Sequence, residues 1–174
     1  AAVERAAEVY CVPVSGRVEV VITVAVPPLD VDLYQAHKAI EHGKLALAEG
    51  GSLILVARCA EGVGERGFVD LLSSFGSPRE VSEGLRELDY RLGMHKAARI
   101  AETAGRSTIL ACTDLEDAVL ESCFIEPCHD LQKTLDEEIL RAGANAGVVV
   151  LMNGSMTVPE IRGHNTYLLR HGER

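Results

Sequence analysis

Aliphatic, β-branched runs alternate along this chain with segments whose apolar residues recur every three or four positions. Four runs read as strands: Val18 to Val26, Ser52 to Cys59, Ser107 to Cys112 and Gly147 to Met152. They show little polar alternation, which is the pattern of strands buried on both faces of a parallel sheet. Five segments between them read as helices: Asp32 to Ala48, Arg66 to Ser74, Arg79 to Tyr90, Met94 to Ala104, and Asp130 to Ala142. Gly50-Gly51, Gly105 and Gly143 stand where the first, fourth and fifth of these should stop. The order predicts an α/β fold: a three-layer, mostly parallel sheet with helices on both faces and right-handed crossovers. The chain, 1–174, reads as a single domain with its core at about 18–159. Ser73 to Ser77 is the expected joint, and 160–174 is expected to be a flexible tail.

Composition narrows the class. Hydrophobic residues make up 47% of the 174 and aromatics only 4%, with no Trp, so the core must be aliphatic. The net charge of -9 argues against duplex nucleic acid or an anionic membrane surface as partner, since both require a basic face. No apolar run approaches the length of a membrane span. The first residues are charged and lack a signal-peptide pattern, and there is no initiator Met, as in a processed product or a piece of a longer chain. Five scattered cysteines without a CxxC pair suit a reducing cytoplasm better than a disulfide framework.

The stretch Asp30 to Ile40 carries the most chemistry. It follows directly on the first strand run and the Pro27-Pro28 break. At about 100° per residue, Leu33, Ala36, Ile40 and Leu47 make a narrow apolar stripe, and Tyr34, Gln35 and Lys38 lie on the opposite side. The i, i+4 and i, i+3 spacings let a phenol, an amide and an ammonium share one patch. Such a patch suits a small anion bearing a hydroxyl, with charge from Lys38 and directional hydrogen bonds from Gln35 and Tyr34. The plain alternative is a solvated helix face. Position favours a site, because ligands of open α/β sheets sit beyond the carboxyl ends of the strands.

Other motifs are weaker. Gly62-Val63-Gly64-Glu65-Arg66-Gly67 matches GxGxxG, and a nucleotide-binding loop is one reading of it. Glu61 and Glu65 would set negative charge beside the phosphates, so a loop that shapes the crevice is the better reading. Cys123 and Cys128 lack the second pair that zinc ligation brings, and read as buried or incidental thiols. No metal ligands are expected in this chain. His95, at a helix start, is a candidate proton carrier or a satisfied polar group.

Five stretches occur in an order that resembles the C-terminal domain of the nickel-dependent lactate racemase family. They are Tyr34-Gln35-Ala36-His37-Lys38-Ala39 after Pro28-Leu29-Asp30, Glu49-Gly50-Gly51, Cys59 to Gly64, Leu92 to Ala97, and Asn153 to Pro159. Where family members carry glycines and an aromatic before the Pro-x-Asp, this chain has Ala25, Val26 and Pro27. The resemblance implies two α/β domains with the active site between them. It implies a nickel-pincer nucleotide attached to the N-terminal domain, which also carries the catalytic His pair. Tyr34, Gln35 and Lys38 would then bind the carboxylate and hydroxyl of a 2-hydroxy acid or sugar-derived substrate. This chain would be one wall of the cleft, inactive alone, with the N-terminal domain as partner, a cytoplasmic location and a possible homo-oligomer. A non-catalytic binding or assembly domain is the competing reading.

Overall fold

Val20, Ile22 and Val24 point to one side of their strand while Val21, Thr23 and Ala25 point to the other, and both sides are covered. This double burial is why the run carries no polar alternation. The computed structural model describes residues 2–161. It contains, in order, α1 (Ala2–Tyr10), β1 (Cys11–Val14), β2 (Val18–Val24), α2 (Leu33–Gly43), β3 (Leu47–Val56), α3 (Arg66–Ser73) and α4 (Pro78–Gly84). There follow α5 (Met94–Ala104), β4 (Thr108–Cys112), α6 (Asp117–Ser122), β5 (Glu126–Pro127), α7 (Leu131–Ala142), β6 (Val148–Leu151) and β7 (Val158–Ile161).

Five strands form a parallel sheet in the order β5-β4-β3-β2-β6. The larger core lies between one face of this sheet and α2, α3, α5 and α6, with Leu33, Ile40, Leu53, Leu55, Phe68, Ile100, Ile109 and Leu120 buried in it. Burying each of these large side chains is worth about 1.5–3 kcal/mol. On the other face, Leu131, Leu135 and Ile139 of α7 pack on Val20, Ile22, Ile54 and Leu110. The expected three-layer α/β architecture is therefore present. β1 and β7 form a separate parallel pair, Cys11 against Val158 through Val14 against Ile161.

Several boundaries differ from the expected ones. The first helix ends at Gly43, not at Gly50-Gly51. Leu47, counted in its apolar stripe, instead pairs with Val18 and opens β3. The three turn bonds Leu45 N–H to His42 O, Ala46 N–H to Gly43 O and Leu47 N–H to Lys44 O make the corner. Gly50-Gly51 falls inside β3, at the register shift between the Val18 and Val20 pairs. The helix expected to reach Tyr90 stops at Gly84. Ser77, in the expected joint, caps that helix by accepting from the Glu80 N–H at 3.3 Å. Elements α1, β1, α6, β5 and β7 were not expected. Pro13 and Pro159 hide the strands that contain them, since proline removes a ladder donor and is confined to edges. The expected tail lies outside the described residues apart from Glu160 and Ile161, which end β7.

One cysteine reading is corrected. Cys112 and Cys128 are joined in a disulfide, with Cα atoms 4.6 Å apart. The register of β4 on β5 sets Ala111 opposite Pro127, so the next residue on each strand meets its counterpart. Cys59 and Cys123 are buried free thiols.

Candidate anion-binding site at the strand tips

Strands β2 to β5 add successively on one side, while β6 returns to the other side of β2. Ligands of open α/β sheets bind where the strand order changes direction in this way. The loop after β2 leads there into α2, and the loop after β6, residues 152–157, lies against the same helix. Gly154 donates its N–H to Val24 O at 2.7 Å, and His42 Nδ1–H donates to Gly154 O at 2.7 Å.

The start of α2 is fully engaged. Asp32 caps it, its carboxylate accepting from Gln35 N–H at 2.6 Å. Leu33 and Tyr34 donate their N–H groups to Gly62 O and Val63 O, each at 3.1 Å. No backbone donor of the first turn is left for an anion, so any anion held here would have to be held by side chains. The Gly62–Gly67 loop supplies these carbonyls. Gly64, at φ +74°, rests on the Asp32 carboxylate, and a β-carbon there would lie 2.6 Å from it. The place a pyrophosphate would need, at the start of α3, is taken by Glu65, whose carboxylate accepts from Gly67 N–H at 3.1 Å.

Lys38 and Gln35 meet on the outer face of α2: Lys38 Nζ donates to Gln35 Oε1 at 3.1 Å. Lys38 is exposed and Gln35 half-buried. Among the described residues no carboxylate lies within ion-pair distance of Lys38. Tyr34 turns aside from this pair. Its ring sits 5.8 Å from that of Phe68, and the ammonium of Lys96 stands 4.0 Å over it. Lys96 Nζ also donates to the Tyr34 main-chain carbonyl at 2.6 Å. Burial holds the Lys96 ammonium below its ordinary range, and repulsion from Lys38 adds to the effect.

Lys96 is the residue that sequence reasoning passed over. It stands beside His95, the candidate taken from the same segment, and its signal was an ammonium two places into a helix that packs on α2. His95 itself is exposed. His37, between them and the core, is buried and its pKa is lowered to about 3, first by burial and then by Lys96, Lys44, His95 and Arg99. A crevice of about 430 Å³, apart from these residues, opens at the tips of β2, β3 and β4, lined by Arg58, Thr113, Asp114, His129 and the Cys112–Cys128 disulfide. Its Arg58 and His129 are paired with Asp114 and Asp117, at 3.2 and 3.1 Å.

No group of three or more His, Cys, Asp or Glu side chains among the described residues could hold a metal ion. The donor set present does not fit a nickel site. No described helix is long and apolar enough to cross a membrane.

Comparison with known proteins adds the family. The model of the lactate racemase C-terminal domain matches residues 15–158. A lactate racemase of Thermoanaerobacterium thermosaccharolyticum is 30% identical over 112 residues, 62% of this chain and 26% of that protein. One of Lactiplantibacillus plantarum is 28% identical over 126 residues, 69% of this chain and 28% of that protein. The chain thus spans about a quarter of the length of these relatives. The structure of the lactate racemase apoprotein from T. thermosaccharolyticum superposes with a TM-score of 0.83 at 23% identity, over 90% of this chain and 39% of the other. A Thermotoga maritima protein does so at 0.62 and 12% identity, over 91% and 41%. These two likenesses show the fold. The family match covers the strand-tip loops, α2 and the Asn153 loop alike, and the chain belongs to the lactate racemase C-terminal domain family.

Proposed function

We propose that this chain forms one wall of the active-site cleft of a racemase or epimerase of 2-hydroxy acids, and that it holds the substrate by its carboxylate and hydroxyl. The observation that supports this is the Lys38–Gln35 pair: an exposed ammonium held by an amide at 3.1 Å, with no carboxylate at ion-pair distance among the described residues, on the helix that follows the strand where the order reverses. Lys38 supplies the charge for the carboxylate. Gln35, whose Oε1 accepts from Lys38, keeps its amide N–H groups for the substrate's oxygens. Tyr34 brings its phenol to the flank facing α5. The rest of the enzyme, absent from this chain, would carry the nickel-pincer nucleotide and the proton-transferring His pair. When bound there, that cofactor supplies the hydride-accepting centre.

The test joins this chain to a cognate N-terminal domain loaded with cofactor and follows racemisation of a panel of 2-hydroxy acids. A hydrogen bond to a charged group is worth about 1.5–3 kcal/mol, so Lys38→Ala should lower kcat/KM about 10- to 100-fold, chiefly through KM. An unchanged kcat/KM on every racemised substrate overturns the assignment of Lys38.

A further inference from the structure

The seam between α2 and α5 holds four cations and two carboxylates whose pairings are unequal. Glu41 is met by Lys44 at 2.8 Å and by Arg99 at 3.8 Å. Glu102 is met by Arg99 at 3.2 Å and by Lys44 at 3.6 Å. Asp32, whose charge also favours the Lys96 ammonium, accepts from the Gln35 N–H. Lys38 and Lys96 remain, each without a carboxylate at ion-pair distance among the described residues. Lys96 is only 8% exposed, so its charge is poorly screened. A buried ammonium left unpaired is costly, and this one is held by a carbonyl and a ring face instead.

We infer that Lys96 is a positioning residue of the anion site: it fixes Tyr34 through its main-chain carbonyl and its ring, and with Lys38 it supplies the second positive charge toward which a substrate carboxylate is drawn. The inference rests on the reading of Tyr34, Gln35 and Lys38 as the substrate patch. The geometry is specific. A single ammonium touches Tyr34 at 2.6 Å on the main chain and 4.0 Å over the ring, so one group bears both on the phenol's direction and on the second positive charge. Burial and Lys38 both favour the neutral amine, whereas Asp32 and Glu41 favour the ammonium. Of the other titratable groups in the seam, His37 is held neutral, and His95 and Arg99 stand on α5 itself. A bound carboxylate adds a further anion on the side of the ammonium. Binding should therefore move the Lys96 titration upward and draw in protons at a pH near its pKa.

The experiment uses this chain joined to a cognate N-terminal domain, with lactate as probe and sodium chloride at equal ionic strength as control. Carbon-13 NMR of the lysine Cε positions follows Lys38 and Lys96 separately. On the native chain, lactate should shift the Lys96 titration upward, and chloride should not. Lys96→Met should weaken lactate binding at least tenfold, with the amide spectrum of the fold retained. A ligand-linked shift in titration is a response that a purely structural lysine would not give. If Lys38→Met abolishes binding while the Lys96 titration ignores lactate and Lys96→Met binds as tightly as the native chain, the inference on Lys96 falls and the substrate patch stands. If neither substitution alters lactate binding, or the native chain binds none, both fall. The titration on the native chain decides the matter even where Lys96→Met does not fold.

Discussion

Gly154, in the loop after β6, lies directly against Thr23 of β2: a β-carbon built on it would stand 1.9 Å from the Thr23 hydroxyl oxygen. That hydroxyl donates to Ala39 O of α2 at 3.0 Å, so strand, helix and loop converge on one point. Gly154→Ala should cost about 1–3 kcal/mol through overpacking, read as a lower urea midpoint at unchanged m. Thr23→Ala should recover part of that loss in the double variant. Equal midpoints for Gly154→Ala and the native chain would mean that the loop lifts off the strand freely.

Asp32 and Gly64 form a second such pair, cap and loop. Asp32→Ala removes the helix cap and should cost about 0.5–2 kcal/mol. Gly64→Ala meets both the carboxylate, 2.6 Å away, and an unfavourable positive φ. Because the two residues touch, their losses should fail to add by about 0.5 kcal/mol or more in a double-variant cycle. Strict additivity would show that the Gly62–Gly67 loop does not bear on the start of α2.

His37 predicts an acid limb of stability. Its pKa is about 3 when folded, against 6.5 for the ordinary group. The unfolded chain therefore takes up a proton below pH 6.5 that the folded chain refuses until about pH 3, and stability falls as pH drops through that window. His37→Leu lacks this limb, so the advantage of the native chain over the variant should shrink steadily from pH 6.5 to pH 3. A difference independent of pH would mean that Glu41, 3.8 Å away, offsets burial and leaves the imidazole with its ordinary pKa in the fold, and a difference that grows as pH falls would mean that Glu41 keeps it charged.

The free thiols should differ sharply in reactivity. Burial pushes Cys59 up to about 12 and Cys123 up to about 11, leaving almost no thiolate at pH 8. Cys11, half-buried on β1, is raised by burial and by Glu160. Iodoacetamide on the folded chain should label Cys11 first, and Cys59 and Cys123 only on unfolding. Mass spectrometry of the labelled peptides reads the order, and early labelling of Cys59 would contradict the packing described.

Local pattern was enough for the presence, though not every boundary, of the sheet's central strands and of α2, α5 and α7. Their burial demands aliphatic runs or a helical stripe that any chain of this fold must display. Met94–Ala104 was legible to the residue, because Gly93 and Gly105 bracket it. The ion-pairing character of the α2–α5 seam was not legible. Lys96 has the spacing of an ordinary surface residue and becomes buried only because α5 packs against the first turn of α2.

By itself, the order of residues determined the parallel α/β layering, the start of α2 at Asp32, and the choice of Lys38 and Gln35 as neighbours one turn apart. These depend on contacts between residues close in sequence or on the simple need to bury both faces of a strand. Tertiary structure alone decided that α2 ends at Gly43, that Cys112 meets Cys128, and that Tyr34 leans toward Phe68 and Lys96. Each of these joins residues distant along the chain, whose approach is set by sheet register and helix packing, and no periodicity within a single segment encodes it.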